Sequence, residues 1–129
     1  MKKKLLLAGS VFALISVIAG AFGSHALKKI LQPEDLIAYE TAVRYQMYHA
    51  FAILLTGLFM NEGNKKFTRF AGIFFSAGII FFSGSLFAIT FLKASAASIP
   101  LIIALATPLG GVLFVCGWAL LSWSIFRQH

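Results

Sequence analysis

A chain of 129 residues that is 60% hydrophobic and only 12% charged is too apolar for a soluble domain. Its mean hydropathy is +0.90. The formal charge of +7 is scattered between apolar runs rather than gathered with base-stacking aromatics. This pattern excludes nucleic acid as a partner and leaves membrane lipids as the natural contacts of the lysines and arginines. A single cysteine, Cys116 in an apolar run, excludes an internal disulfide and reads as a small packing residue.

Lys2, Lys3 and Lys4 precede an uncharged stretch from Leu5 to Leu27, the first predicted span. A basic start before an apolar run also describes a secretory signal, and Ala19-Gly20-Ala21 has the look of a cleavage site. The stretch is long for a signal core and three more apolar runs follow, so a retained span is expected. Gly9, Ala13, Ser16, Gly20 and Gly23 recur at steps of four, three, four and three and share one helical stripe. Small stripes let membrane helices approach closely, because lipid supplies no hydrophobic drive for association. A packing seam is expected there.

His25 closes this first helix, followed by Lys28 and Lys29. Gln32-Pro33-Glu34-Asp35 reads as a helix start, with proline in the first turn and acids at the positive end of the dipole. The helix is expected to run to about Met60. Its first turns, with Leu36, Ile37 and Tyr39, form an interfacial lead-in, and the span itself covers about 44–61. Asn61 to Lys66 is a polar turn segment closed by Arg69. The third span covers 70–92, rich in Phe and small residues, among them Gly84. The fourth covers 99–126, with Pro108, Gly110, Gly111 and Gly117 as packing or kink positions. Trp118 and Trp123 approach the far interface. The expected fold is an all-α membrane protein, a four-transmembrane-helix bundle occupying residues 1–129 as one domain.

With the N-terminus inside, seven positive residues face the cytoplasm (Lys2, Lys3, Lys4, Lys65, Lys66, Arg69, Arg127) and four face outward (Lys28, Lys29, Arg44, Lys93). The positive-inside rule then places both termini in the cytoplasm of a multi-pass protein of the inner membrane.

The polar focus lies between Tyr39 and Ala50. The apolar run Ala50–Met60 is too short to cross a bilayer, so the span recruits part of that polar stretch. Tyr39, Glu40, Arg44, Tyr45, Gln46, Tyr48 and His49, together with His25 from the first helix, make up the candidate ligand cluster. Glu40 and Arg44 stand four apart in the order that favours a helical ion pair, expected here as a clamp at the membrane edge. His25 and His49 invite a metal or haem reading. At 1.5 Å per residue, however, they stand about 13 Å apart in depth, so no metal or cofactor is expected. There is no activated nucleophile, glycine-rich phosphate loop or pair of carboxylates within a span, which argues against an enzyme. His25 with Glu40 is the one acid–base pairing the residue types offer.

The stretches Gly20-Ala-Phe-Gly-Ser-His25-Ala-Leu-Lys28, Tyr39-Glu-Thr-Ala-Val-Arg-Tyr-Gln-Met-Tyr-His49-Ala, Phe82-Ser-Gly-Ser-Leu86, and Thr107-Pro-Leu-Gly-Gly111 with Gly117-Trp118 occur in that order. In this the chain resembles the small bacterial inner-membrane proteins of domain of unknown function family 423, also called uncharacterised protein family 0382. Ser24 stands where alanine is more usual. The resemblance covers nearly the whole chain and implies a four-span protein of the cytoplasmic membrane. It implies no catalytic residue, substrate or cofactor. The sequence therefore supports a self-associating, non-enzymatic membrane component whose outer-leaflet cluster binds a lipid headgroup, small ligand or partner membrane protein. A small-solute or ion conduit, formed between subunits or beside the kinked fourth helix, is the alternative, and an enzyme at the outer interface the third reading.

Overall fold

A computed structural model describes residues 1–61 and 65–127. Among them all regular structure is helical: α1 (Lys2–His25), a 3-10 turn (Leu27–Lys29), α2 (Pro33–Phe59), α3 (Lys65–Gly78), a π-helical turn (Ile79–Ser83), α4 (Gly84–Ala94) and α5 (Leu101–Phe126). α3, the π turn and α4 form one continuous rod of 30 residues. That rod, the N-terminal rod Lys2–Lys29 and α5 are each long and apolar enough to cross a bilayer. α2 adds a fourth rod of 27 residues, about 40 Å long, whose first half is polar. The protein is an all-α membrane bundle.

Local chemistry sets the ends of the rods. α2 starts where Gln32 is extended (φ −65°, ψ 153°) and Pro33 enters the first turn, with Glu34 and Asp35 at the dipole's positive end. α4 ends in a Schellman motif. The Ala97 N–H donates to the Leu92 carbonyl (2.9 Å) and the Ala96 N–H to that of Lys93 (3.0 Å). The left-handed position is held by Ala96, with φ 54°, and not by glycine. α5 opens at Leu101 behind an extended Pro100, two residues later than expected from sequence, and continues through Pro108. In the expected 61–66 turn, Lys65 and Lys66 belong to the first turn of α3, while 62–64 lie outside the described residues.

α2 is the central rod, packed by α1 along one side and by α3, the π turn and α4 along another. α1 and α2 run antiparallel with small residues between them. A Cβ on Gly9 would meet Leu54 Cγ at 2.7 Å and the Ala50 carbonyl at 2.9 Å, and one on Gly23 would meet the Tyr39 ring at 2.5 Å. Gly57 of α2 receives Leu5 and Leu6 in return. Ser16 of the same stripe is buried, and Gly20 lies 3.5 Å from Val43 by the same measure. The small stripe of the first span is thus a seam inside the chain, covered by α2.

The second hairpin interlocks by a different device. Phe75 fills the space over Gly117, Phe114 that over Gly78, and Phe82 lies against Gly110, while Ser85 meets Thr107 at 2.7 Å. These three glycines each accept an aromatic residue from the facing rod, in antiparallel register, so two helices bearing bulky side chains still approach closely. Gly110 is the tightest point, because an added Cβ would run into the backbone of Phe82. Gly111 and Gly84 face more open space, and Pro108 is exposed, so these three expected packing positions are not tight contacts of the bundle. The π turn lies at the centre of this interface, facing α5 and α2. Such turns widen a helix by one residue and often mark functional or strained places.

Phe75, Ile53, Ile79, Phe114, Leu5 and Leu121 lead the core. The outward face of α5, with Leu101, Ile102, Leu105, Val112 and Val115, is uncovered, as befits a lipid-facing surface. One end of the bundle gathers Lys2, Lys65, Lys66 and Arg69 around shared surface clefts, with Arg127 over the Phe67 ring at 5.7 Å. The opposite end carries the ion pair Lys93–Asp35, at 2.8 Å.

Candidate functional site

The polar stretch of α2 winds around the helix, and the structure divides it among three surroundings. Tyr39 and Gln46 point into the α1 seam. Tyr39 donates its hydroxyl to the Ala19 carbonyl at 2.8 Å, and Gln46 donates from Nε2 to the Phe12 carbonyl at 3.0 Å. Both side chains are buried, and Tyr39 is further held by edge contacts from Phe87 and Phe91 of α4. These two residues are cross-links between helices. Polar donors buried in a bundle need such partners, since lipid offers none.

Glu40 and Arg44 lie together beside that seam. With Gly20, Gly23, Tyr39 and Val43 they line a cleft of about 230 Å³ between α1 and α2. The ion pair expected from their spacing does not form. The Arg44 guanidinium instead makes one long contact to Thr41 Oγ1, 3.5 Å away on its own helix, and Glu40 has no ion-pair partner among the described residues. Both side chains are exposed. In water-like surroundings such a pair is worth little, and side-chain entropy keeps it open.

Tyr45, Tyr48 and His49 point the other way, toward α5. With Gly111, Phe114, Val115 and Trp118 they line a second, aromatic groove of about 500 Å³. His49 is its buried anchor. Its ring stacks on Phe114 with centroids 3.4 Å apart and planes 7° from parallel. Its Nδ1 donates to the Tyr45 carbonyl at 2.7 Å, which leaves Nε2 to accept the indole N–H of Trp118 at 3.3 Å. With a carbonyl on one side and an N–H on the other, the imidazole is fixed as the Nδ1–H tautomer. Both ring nitrogens are engaged, so His49 acts as a structural link between α2 and α5.

His25 is exposed at the end of α1, and its Nδ1 donates to the Ala21 carbonyl of its own helix at 3.1 Å. It does not line the cleft with Glu40, so the acid–base pairing offered by residue type is not assembled. Among the described residues no group of three or more metal-ligating side chains comes together. Sequence reading missed Val43 as a wall of the cleft and Phe114 and Trp118 as the surroundings of His49. Ser16 and Ser83 carry buried hydroxyls that have no hydrogen-bond partner among the described residues. The recurrence of glycine opposite phenylalanine in the last two spans was the available clue to the α5 contacts.

The model of the family described as "Protein of unknown function (DUF423)" matches residues 19–111. This segment holds the α1–α2 cleft, the aromatic stretch of α2 and the π turn. The chain is 35% identical to a UPF0382 membrane protein of Staphylococcus aureus over 125 residues, covering 97% of each chain. It is 35% identical to a UPF0382 membrane protein of Haemophilus influenzae over 128 residues, 99% of this chain and 98% of the relative. It is 32% identical to the UPF0382 inner membrane protein YgdD of Escherichia coli over 117 residues, 91% of this chain and 85% of the relative. No solved structure matches.

Proposed function

We propose that this chain, which belongs to the DUF423 family of membrane proteins, is a non-enzymatic component of the membrane that holds an amphiphilic ligand in the cleft between α1 and α2. One observation carries the reading: Glu40 and Arg44, one helical turn apart, line the same cleft and are not paired with each other. Two exposed, unpaired charges of opposite sign in one cleft can receive a ligand of complementary charge, and the ligand at hand at a membrane surface is a lipid headgroup. Gly20 and Gly23 keep the α1 wall of the cleft low, and Val43 gives it an apolar side. A positive-inside arrangement puts the cleft in the outer leaflet.

A conduit receives less support from the side chains. Thr56 and Ser76 donate their hydroxyls to carbonyls of their own helices, and Thr107 is engaged with Ser85. Self-association would have to use the uncovered face of α5 or the outer side of α1, because the small stripe of α1 is already covered by α2.

The test is mass spectrometry of lipid co-purifying with protein extracted in mild detergent. Wild-type protein should retain lipid, and Arg44→Ala should lose most of it while eluting as a folded species. Equal lipid content in both proteins, or none in either, would remove this reading.

A further inference from the structure

We propose that the cleft is a clamp for a zwitterion bearing a primary amine, of the phosphoethanolamine type, with the phosphate at Arg44 and the ammonium at Glu40. This names the ligand class of the site proposed above and rests on that reading.

The cleft holds one cation and one anion and no other charged side chain. A ligand carrying only negative charge would gain Arg44 and be repelled by Glu40, and one carrying only positive charge would meet the reverse. A ligand with both charges satisfies both groups without needing either to move away. The two side chains stand at i and i+4 on one helix face, which brings their Cβ atoms to about 5–6 Å of each other. An ethanolamine ammonium sits two carbons and an ester oxygen from its phosphorus, a span that suits groups so placed. The guanidinium presents a planar fork of donors that matches phosphate oxygens. It is free for that role, since its contact to Thr41 is long.

The lining also discriminates between amines. A quaternary ammonium has no N–H to give a carboxylate and is recognised by open aromatic faces. The one aromatic ring of the cleft, Tyr39, is only 3% exposed, packed by Phe87 and Phe91, with its hydroxyl committed to Ala19. A primary ammonium, in contrast, donates hydrogen bonds to Glu40. Size points the same way. At about 230 Å³ the cleft is smaller than the roughly 300–1,000 Å³ of pockets that enclose a drug-sized ligand, so it suits a headgroup whose chains lie outside.

The experiment places the purified full-length protein in nanodiscs of phosphatidylcholine alone or with one-fifth phosphatidylethanolamine or phosphatidylglycerol. Lipids retained on ejection are counted by native mass spectrometry. Wild type should retain phosphatidylethanolamine about ten-fold over the other two. Glu40→Gln should lose the preference over phosphatidylcholine and gain phosphatidylglycerol, while Arg44→Gln should lose retention of all three. Both positions are exposed, so the variants should keep the wild-type melting temperature. Free phosphoethanolamine in the millimolar range should displace the retained lipid. If instead it binds while no lipid is held, the zwitterion clamp stands and its ligand is the free compound. Retention that depends on Arg44 but is equal for the three lipids would overturn the zwitterion and leave the lipid site intact. Unchanged preference in Glu40→Gln would do the same. No retention of lipid and no binding of the free compound would remove both.

Discussion

Gln46 of α2 donates its amide to the carbonyl oxygen of Phe12 on α1 at 3.0 Å, seven residues along each helix from the matching bond between Tyr39 and Ala19. The two bonds fix the register of the first hairpin at points one heptad apart. Hydrogen bonds between membrane helices contribute about 0.6 kcal/mol on average and up to about 1.7. Tyr39→Phe and Gln46→Leu should therefore each lower unfolding free energy in detergent or bicelles by an amount in that range. Tyr45→Phe, which removes a hydroxyl from an exposed ring in the aromatic groove, is the control and should be silent. A silent Tyr39→Phe would mean that the register is set by packing alone.

The phenylalanine–glycine interlock gives a sharper contrast, because neighbouring glycines differ in what surrounds them. A methyl group on Gly110 would strike the Phe82 backbone, whereas one on Gly111 would reach only the Phe82 ring at 4.0 Å. Gly110→Ala should cost about 1–3 kcal/mol, as overpacking does in well-filled cores. Gly111→Ala and Gly84→Ala should each cost little or be mildly stabilising through their gain in helix propensity. Thermal melts of the three variants in one detergent decide it, and equal shifts would contradict this register.

Ala96 occupies a left-handed position at the end of α4, with φ 54°. An L-residue in that region loses roughly 1–2 kcal/mol, part of which glycine would recover against its greater freedom in the unfolded chain. Ala96→Gly should raise stability by about 0.5–1 kcal/mol. The position lies in the turn before α5, away from the α1–α2 cleft, so lipid retention should be unaffected.

Because Glu40 and Arg44 are not paired, their removal should have additive effects on stability. Glu40→Gln, Arg44→Gln and the double variant, compared in lipid-free detergent, should each shift unfolding by less than about 0.5 kcal/mol with no coupling beyond error. A double variant costing much less than the sum of the singles would show the closed clamp expected from the i, i+4 spacing alone.

From the charge count of seven against four we propose that both termini are cytoplasmic. Reporter fusions at residues 64 and 129 should read cytoplasm and one at residue 95 the outside. The inverse pattern would also move the α1–α2 cleft to the inner leaflet.

The existence of the helices and their chain order were legible in the sequence, because apolar length and the proline and lysine boundaries act locally. The small stripe of α1 was legible for the same reason. What faces it was not, since Tyr39, Val43, Ala50 and Leu54 are chosen by the antiparallel register and no short-range signal carries that. The polar stretch shows the limit most clearly. Its seven candidate residues were read as one cluster with His25, yet helical rotation sends Tyr39 and Gln46 into the seam, Glu40 and Arg44 to the cleft, and Tyr45, Tyr48 and His49 to α5. Spacing correctly put Glu40 and Arg44 on one face, but it could not show that they stay apart. The π turn at Ile79–Ser83 was invisible, because a one-residue widening leaves the apolar pattern of a fully hydrophobic helix unchanged.

The two antiparallel hairpins each join rods that are adjacent along the chain, α1 with α2 and the α3–α4 rod with α5. This has a consequence for biogenesis. During synthesis, the amide and hydroxyl donors of α2 find their carbonyls on a helix that has already been made, so the first hairpin can close before α3 leaves the ribosome. Low sequence separation of this kind favours fast, unit-by-unit assembly. A nascent chain stalled with α2 just clear of the insertion machinery should already protect the α1 seam, for example a cysteine placed at Ala13, from a membrane-permeant thiol reagent.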